Sequence, residues 1–303
     1  MLKNIKITKN LEDATVITHG GIFHADDVLS TVILSKVMDN VTVLRTFKVP
    51  ANISDDVLVY DIGFGRFDHH QKGGNGTRKN GVPYAACGLL WKEFGHKIVG
   101  NTCNPDFVWS LIDKSLIQSV DASDNGTIPH VDYVTQDISF SSIISNFNPC
   151  WNSTEDSDEA FLRAVAIAYA VFENALTSAI SKAQAREIID EAIEASCDGI
   201  MVLKRFAPWQ TFLFNSTNPK AEKILFVVFP SRRETYNWQC VAEKPGGFKY
   251  RKPVPDEWKG IEGPKLQKIT GVATAIFCHP AGFIGGAETL EDAIALAKLA
   301  AKS

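Results

Sequence analysis

The first sixty residues alternate short β-branched runs with a helical segment, and this alternation constrains the fold more than any other feature of the chain. Residues 14–19 form a β-rich run that is followed by two glycines. Residues 25–38 carry apolar side chains at helical spacing, and residues 41–49 and 57–60 are two further strand-like runs. This order of strand, helix and strand predicts a parallel sheet with crossover helices.

Later segments extend the pattern into a second region. A long alanine-rich helical pattern without proline covers residues 159–196. Further helices are predicted over residues 84–94, 106–120 and 288–302, and further strands over residues 200–204, 224–230, 238–242 and 273–279. We predict an α/β protein with a mostly parallel-sheet lobe (1–155), a long connecting helical segment (156–198) and a smaller C-terminal α+β lobe (199–303).

Composition excludes several classes of protein. The chain has 303 residues, of which 45% are hydrophobic and 22% charged, and its net charge of −4 gives no overall basic field for nucleic acid. The six cysteines are scattered without a Cys-x-x-Cys pair, which argues against a zinc ribbon or a disulfide framework. No stretch approaches the ~18 apolar residues of a membrane span, and no signal or transit peptide is evident. We therefore expect a soluble intracellular protein, cytoplasmic or, in a eukaryote, also nuclear or mitochondrial.

The third predicted strand leads into a glycine-containing loop that is rich in metal-capable side chains. Asp61 comes directly after the strand, and the triplet of Asp68, His69 and His70 follows in the same loop. Open α/β sheets bind ligands at the carboxyl ends of their strands. Taken alone, the triplet is about as consistent with a metal site as with a simpler interpretation. In the simpler one, one histidine could be a ligand while the other only hydrogen-bonds a loop carbonyl.

Other histidines and aspartates are predicted to reach the same edge of the sheet. The full set at strand ends and adjoining loops is His19, His24, Asp26, Asp61, Asp68, His69, His70 and Asp121. Mixed imidazole and carboxylate ligands suit Mn²⁺, Fe²⁺, Co²⁺ or Zn²⁺, and their number fits two ions that share a carboxylate. The alternative is that Asp26 and Asp27 cap a helix and that Asp121 belongs to a turn.

These motifs resemble those of a known group of enzymes. In order and spacing, His19-x4-His24-x-Asp26, Asp61, Asp68-His69-His70 and Asp121 look like motifs I to IV of the DHH phosphoesterase superfamily. Within it, the stretches that closely resemble the melanocyte-proliferating-gene exonuclease family are residues 18–26, 61–71, 251–258 and 277–286. Members of that family were long labelled a metal-dependent protein hydrolase family. The resemblance covers almost the whole chain.

The resemblance implies that the first lobe is a DHH-type centre for two divalent metal ions. His19, His24 and Asp61 would hold one ion, and Asp26, His69 and Asp121 would hold the other, with Asp61 bridging both. Asp61, His70 and Asp68 are the implied catalytic residues. His70 would either support the metal ligands from behind or face the scissile phosphate, and Asp68 would either touch metal or orient a histidine. The histidine at position 24, where many superfamily members have aspartate, favours Mn²⁺ over Mg²⁺, with Co²⁺ or Zn²⁺ as alternatives.

The resemblance further implies that the C-terminal lobe binds substrate. His279, Gly285 and Gly286 are similar to a substrate-binding element of the superfamily, a glycine turn opening a helix whose exposed amides can hold a phosphate. Arg232 and Arg233 could clamp phosphates or be ordinary solvated residues. Three basic residues near the metal loop could follow a nucleic-acid backbone, namely Lys72, Arg78 and Lys79. Most of the tryptophans are expected in the core, although they could also stack bases.

The function implied is that of a 3′-to-5′ exonuclease on single-stranded RNA or short oligonucleotides, using hydroxide activated by two metal ions. We also expect that the protein does not bind a membrane and that it could form a homodimer. Two alternatives remain open: hydrolysis of a small phosphoanhydride or cyclic dinucleotide at the same site, and a non-catalytic binding protein stabilised by metal. Peptide hydrolysis lacks support, because the sequence has no His-Glu-x-x-His helix.

Overall fold

The chain divides into two compact units, and the boundary between their residue ranges falls within one long helix. The computed structural model describes residues 4–128 and 138–303. The first unit ends at Ala183 and the second begins at Gln184. Both units combine helices with a sheet, so the α/β class predicted from the sequence is confirmed.

The first unit is built on a four-stranded parallel sheet. Its strands are β1 (Ile5–Thr8), β2 (Val16–His19), β3 (Val41–Thr46) and β4 (Leu58–Val59), in the spatial order β1-β3-β2-β4. All three strand pairs are parallel, which confirms the sequence prediction, whereas β1 was not predicted. Because β2 and β4 are parallel neighbours, the residues that follow them lie at the same edge of the sheet.

Among the described residues, six helices supply most of the remaining core of the first unit. They are α1 (Ala25–Ser35), α2 (Ala86–Val99), α3 (Pro105–Ile112), α4 (Gln118–Asp124), α5 (Phe140–Ser145) and α6 (Ser157–Glu194). A five-residue π-helical turn (Asp113–Ile117) joins α3 directly to α4. Every residue of α1 is buried, and the large buried side chains around it include Trp91, Phe161 and Phe172.

The 38-residue helix α6 also satisfies the length and composition of a membrane-spanning helix, alone among the described helices. This property of α6 was not expected from the sequence. Along its first half, a stripe that includes Phe161, Val165, Ala168 and Phe172 is completely buried in the core of the first unit. Residues at this helical spacing share one face, which is the pattern of a core helix.

The second unit contains a five-stranded mixed sheet. Its strands are β5 (Ile200–Val202), β6 (Phe226–Pro230), β7 (Tyr236–Cys240), β8 (Ala275–Cys278) and β9 (Ile284–Ala287), in the order β5-β6-β7-β9-β8. Only the β5–β6 pair is parallel. Its helices are α7 (Gln210–Phe214), α8 (Gly263–Thr270) and α9 (Leu290–Lys302), and α9 packs on the sheet. Three tryptophans are buried here, as expected (Trp209, Trp238 and Trp258), whereas Trp151 of the first unit is exposed.

The predicted glycine turn at Gly285 and Gly286 is wrong, because both residues lie inside strand β9. This strand pairs with β7 on one side and with β8 on the other, so the sheet already uses its amides. A Cβ atom on Gly285 would lie 2.2 Å from Cζ2 of Trp238 and 2.5 Å from the carbonyl oxygen of Phe277. Glycine is therefore required here by close packing rather than by phosphate binding.

Substitution of Gly285 by alanine should destabilise the protein by about 1–3 kcal/mol, because the methyl group must displace a buried tryptophan ring. Gly286→Ala is the matched comparison on the same strand. Its Cβ would lie 3.0 Å from a ring carbon of Phe277, so we expect a smaller loss. Urea unfolding followed by tryptophan fluorescence measures both, and equal stability of Gly285→Ala and the parent protein would contradict the packing argument.

Candidate metal centre

The edge formed by the ends of β2 and β4 gathers the candidate ligands. His19 is the last residue of β2, and Asp61 follows β4 after Tyr60, whose backbone N–H donates to the oxygen of Ile17 at 3.0 Å. Asp61 has a φ of 55°, in the left-handed region, and its N–H donates to the oxygen of Phe67 at 2.9 Å. This conformation costs a non-glycine residue on the order of 1 kcal/mol, and such strain clusters at functional sites.

The His19 imidazole is held between the main chain and two carboxylates. Its Nδ1 atom lies 3.1 Å from the oxygen of Gly20, an acceptor that assigns the ring proton to Nδ1. Its Nε2 atom lies 3.3 Å from Oδ2 of Asp27 and 3.4 Å from Oδ2 of Asp61. This arrangement aims Nε2 at the carboxylates, as in histidines that ligate metal.

The His69 imidazole repeats this arrangement on the other side of Asp61. Its Nδ1 atom lies 3.3 Å from Oδ1 of Asn125. Its Nε2 atom lies 3.0 Å from Oδ2 of Asp124, 3.4 Å from Oδ1 of Asp61 and 3.9 Å from Oδ2 of Asp26. One oxygen of Asp61 therefore faces His19, and the other faces His69.

Three buried atoms in this cluster lie within ion-pair distance of a neighbour but make no hydrogen bond of good geometry among the described residues: Oδ2 of Asp27, Oδ1 of Asp61 and Nε2 of His69. Buried polar atoms without hydrogen bonds are costly and rare, so their coincidence here requires an explanation. His19 with Asp27 and Asp61, and Asp26 with His69 and Asp124, bring possible ligand atoms within 4.8 Å of one another. The donor set thus fits divalent cations that accept nitrogen and oxygen ligands.

Both imidazoles hold a proton strongly when no metal is bound. Burial lowers the pKa of His19, but the carboxylates of Asp61 and Asp27 outweigh it and raise this pKa to about 9. Burial likewise acts against His69, whose pKa is raised to about 11 by Asp124 and Asp61. At neutral pH the protons of both rings therefore occupy positions at which a metal ion would supply positive charge.

The buried carboxylates divide into two kinds. Burial raises the pKa of Asp26 well above its usual range and that of Asp27 to about 7. Burial also opposes ionisation of Asp61, but its contacts with His19 and His69 lower the pKa of this carboxyl below its ordinary value. Asp61 is thus the charged group between the two imidazoles.

Asp26 and Asp121 bind the amino-terminal end of α2. Asp26 accepts from the backbone N–H groups of Ala86 and Cys87 at 2.8 and 2.7 Å. Oδ1 of Asp121 accepts from the N–H groups of Ala85 and Gly88 at 3.0 and 3.1 Å. A Cβ atom on Gly88 would lie 2.0 Å from Oδ2 of Asp121, so only glycine permits this approach.

Arg78 forms a salt bridge with the remaining oxygen of Asp121. Its Nη1 atom lies 2.5 Å from Oδ2 of Asp121, and its Nη2 atom lies 2.7 Å from Oδ1 of Asp113 in the π-helical turn. Arg78 is therefore a buried structural cation rather than a residue that follows a nucleic-acid backbone. Arg251 has a comparable structural role, because it donates to the carbonyls of Ala221 and Ile224 at 2.7 and 2.9 Å.

The geometry brings together most of the predicted ligands but changes two positions. His24 is exposed at the N-cap of α1 and is absent from the close ligand groups of the described residues, in which Asp27 joins His19 and Asp61. His24 nevertheless lines the same cavity, with its ring centroid 5.7 Å from that of His19, and its role as a ligand stays a prediction. Asp124 rather than Asp121 lies closest to His69. The sequence contained an indication of each of these two aspartates, because Asp27 adjoins Asp26 and Asp124 follows Asp121 at helical spacing. Helix capping and turn formation explained both residues equally well.

The triplet separates into three different environments. His69 is buried in the cluster, whereas the His70 side chain is 53% exposed. Oδ1 of Asp68 lies 2.7 Å from Nδ1 of His70, and its Oδ2 atom accepts from the N–H of Phe64 at 2.6 Å. This contact lets Asp68 orient the His70 ring.

A cavity of about 320 Å³ opens onto this cluster, and its lining includes His19, Asp61 and His70. The predicted substrate residues lie in the second unit. Arg232 and Arg233 are exposed in the turn after β6, and His279 is exposed in the β8–β9 turn, where its Nδ1 accepts from the N–H of Ala281 at 3.0 Å. Their proposed roles stay predictions.

Asp27→Asn should weaken Mn²⁺ binding at least tenfold, because it removes the charge of a carboxylate that faces His19. The amide oxygen of the asparagine can still accept from the N–H of His24, now 2.8 Å from Oδ1. His24→Asn is the matched variant, since asparagine also serves well as an N-cap, and it should leave the affinity nearly unchanged. Isothermal titration of the metal-stripped proteins measures both, and the reverse order of effects would restore His24 as the ligand.

Binding of Mn²⁺ should release at least two protons near neutral pH, one from each raised imidazole, with a further contribution from Asp26 and Asp27, whose carboxyl pKa values are also raised. Because protons compete with metal for His19 and His69, Mn²⁺ affinity should fall as the pH is lowered through the pKa of His19, about 9. Titrations in buffers of different ionisation enthalpy measure the protons released. Binding heats that do not depend on the buffer would contradict this charge state.

Comparison with known proteins places the chain in one family. The model of the MYG1 exonuclease family, described as "Uncharacterised protein family (UPF0160)", matches residues 15–301. The MYG1 protein C694.04c of Schizosaccharomyces pombe is 28% identical over 94% of this chain and 96% of its own length. The MYG1 exonuclease of Homo sapiens is 29% identical over 93% of this chain and 84% of its own length.

Budding yeast provides a relative that is covered almost completely. The MYG1 protein YER156C of Saccharomyces cerevisiae is 29% identical over 98% of both chains. No solved structure matches the chain. The family model covers nearly every residue, which confirms the resemblance found in the sequence, and the chain therefore belongs to the MYG1 exonuclease family.

Proposed function

We propose that the protein is a metal-dependent phosphodiesterase, and specifically a 3′-to-5′ exonuclease that removes nucleotides from single-stranded RNA or short oligonucleotides. The observation that carries the proposal is a buried cluster in which one atom each of Asp27, Asp61 and His69 makes no hydrogen bond of good geometry, and which reaches an open cavity through Asp61. The human, mouse and rat relatives are each named MYG1 exonuclease, which supports the nuclease class.

Two divalent ions are proposed to bind on either side of Asp61. His19, Asp27 and Asp61 would hold the first ion, and Asp61, His69 and Asp124 would hold the second with Asp26 beside them. Bound there, the ions would activate water and offset negative charge on the phosphoryl group. Mn²⁺ suits the mixed nitrogen and oxygen donors, with Mg²⁺, Co²⁺ and Zn²⁺ as alternatives.

His70, oriented by Asp68, is proposed to transfer a proton during the reaction. The contact between Nδ1 of His70 and Oδ1 of Asp68, at 2.7 Å, fixes the ring and leaves Nε2 free to exchange a proton in the cavity. An imidazole so oriented can donate that proton to the oxygen that leaves phosphorus. Asp68 acts through His70 and is a positioning residue.

The DHH-type assignment of the first lobe and the substrate-binding role of the second remain part of the proposal. His279, Arg232 and Arg233 are proposed to contact the phosphates of the substrate, and their exposure leaves them accessible. A reduced intracellular compartment accords with six cysteines that are all free. A small nucleotide substrate is the second candidate, favoured by the modest volume of the cavity, about 320 Å³.

Asp61→Asn should abolish hydrolysis while leaving the fold intact, because asparagine tolerates the left-handed backbone but removes the charge between His19 and His69. The assay supplies Mn²⁺ to metal-stripped protein with 5′-labelled single-stranded RNA, single-stranded DNA or a dinucleotide. A ladder that shortens from the 3′ end supports the exonuclease. Cleavage of the dinucleotide alone would favour the small-substrate alternative, and no cleavage at all would favour a binding protein.

A matched control exists in the second unit. Asp198 also has a left-handed backbone, with a φ of 54°, but it is exposed and pairs with the Lys298 ammonium at 3.2 Å, away from the candidate ligands. Asp198→Asn should therefore retain full activity. Full activity in Asp61→Asn would contradict the shared-carboxylate centre.

A further inference from the structure

Three large apolar side chains are exposed around the mouth of the cavity at the candidate metal centre. The exposed fractions are 70% for Ile22, 85% for Phe47 and 68% for Phe64. All three residues line the same cavity as His19, Asp61 and His70. Single exposed apolar residues are common on protein surfaces, but a group converging on a polar cluster marks a binding site.

The position of Phe47 is set by β3, which pairs with β2 next to the site. It follows β3 directly, and the N–H of Gly20 donates to the oxygen of Thr46 at 2.8 Å, which ties this segment to the loop after His19. A Cβ atom on Gly21 would lie 3.0 Å from Cε1 of Phe47. The ring therefore lies against the backbone of Gly21, and its other surface is open to solvent.

Phe64 is held by the same carboxylate that orients His70. Its backbone has a φ of 58°, a strained conformation for an aromatic residue, and its N–H donates to Oδ2 of Asp68 at 2.6 Å. The adjoining Gly63 packs so closely on Val49 that a Cβ atom would lie 2.7 Å from Cγ2 of that valine. The two aromatic segments are thus fixed against each other and to the site.

We propose that Phe47 and Phe64 form a base-binding subsite, in which their rings contact the nucleobase of the nucleotide whose phosphate occupies the candidate metal centre. The inference rests on the proposed phosphodiesterase function and specifies which part of the substrate is recognised beside the metals. A flat π-system with exposed apolar faces stacks on every base, since all bases present a π-face. The side chains named offer no polar group to a base edge, so the subsite recognises a base without selecting among bases.

Binding of nucleoside monophosphate tests the subsite without requiring catalysis. Titration of the Mn²⁺-loaded protein with adenosine 5′-monophosphate and with ribose 5-phosphate compares ligands that differ by the base. The parent protein should bind the nucleotide about tenfold or more tightly than the sugar phosphate, because the stacking of one base on an aromatic ring contributes that much affinity. Phe47→Ala and Phe64→Ala should each remove most of this preference and leave ribose 5-phosphate binding unchanged.

Conservative variants separate stacking from apolar contact. Phe64→Trp should retain the preference, whereas Phe64→Leu, which keeps apolar surface without a π-face, should reduce it. Phe248→Ala in the second unit is the matched control, because Phe248 is 91% exposed and does not line this cavity. Cytidine and guanosine monophosphates should bind within a few-fold of adenosine monophosphate.

The outcomes for the subsite and for the proposed function are distinct. Equal binding of the two ligands by the parent protein, or no binding of either, would overturn the subsite. So would alanine variants that keep the base preference but change the sedimentation of the protein, since the rings would then contact a second copy of the chain. Retained base preference in a protein that hydrolyses no oligonucleotide would uphold the subsite and refute the exonuclease.

Discussion

Burial of several carboxylates at one edge of a parallel sheet is the constraint on which the first unit depends. Asp26, Asp27, Asp61, Asp68 and Asp121 are all nearly inaccessible to solvent. Buried charges are tolerated only when they are paired or coordinated, because desolvation of an isolated carboxylate is very costly. The surrounding elements can be understood as the sources of positive charge and of N–H donors that this edge requires.

The sources of compensation differ among these carboxylates, and the differences indicate their roles. Asp26 and Asp121 accept from N–H groups at the start of α2, where the helix dipole favours negative charge, and Arg78 completes the shell of Asp121. Asp27 and Asp61 have no such donors for one oxygen each. The first pair therefore fixes the start of α2 against the site, while each carboxylate of the second pair has one oxygen available to a cation.

The sequence predicted the parts of this site that depend on the order of elements along the chain. Parallel strands bring their carboxyl ends together, so the meeting of His19 with Asp61 followed from the strand pattern. Adjacent residues on a helix could not be told apart in this way, because capping and ligation both favour carboxylates in the first turn. Asp27 was therefore interpreted as a cap, and it does serve as one through Oδ1 while Oδ2 faces His19. Strand β9 was missed because paired glycines signal turns more often than strands, and its tight contact with Trp238 depends on tertiary packing that the local sequence does not specify.

The π-helical turn between α3 and α4 acts as a phase shift in an otherwise continuous helix. Each residue of an α-helix advances about 100° around the axis, so a wider turn rotates everything that follows it. Asp121 and Asp124 lie beyond this turn, three residues apart and therefore on one face. A family member with one residue fewer in this turn could keep every side chain of both helices. Its second helix would still be rotated about its axis, so that the neighbours of these aspartates, and not the aspartates themselves, would face His69 and Arg78. The register of the helix, and not only the identity of its residues, is thus part of what defines the site.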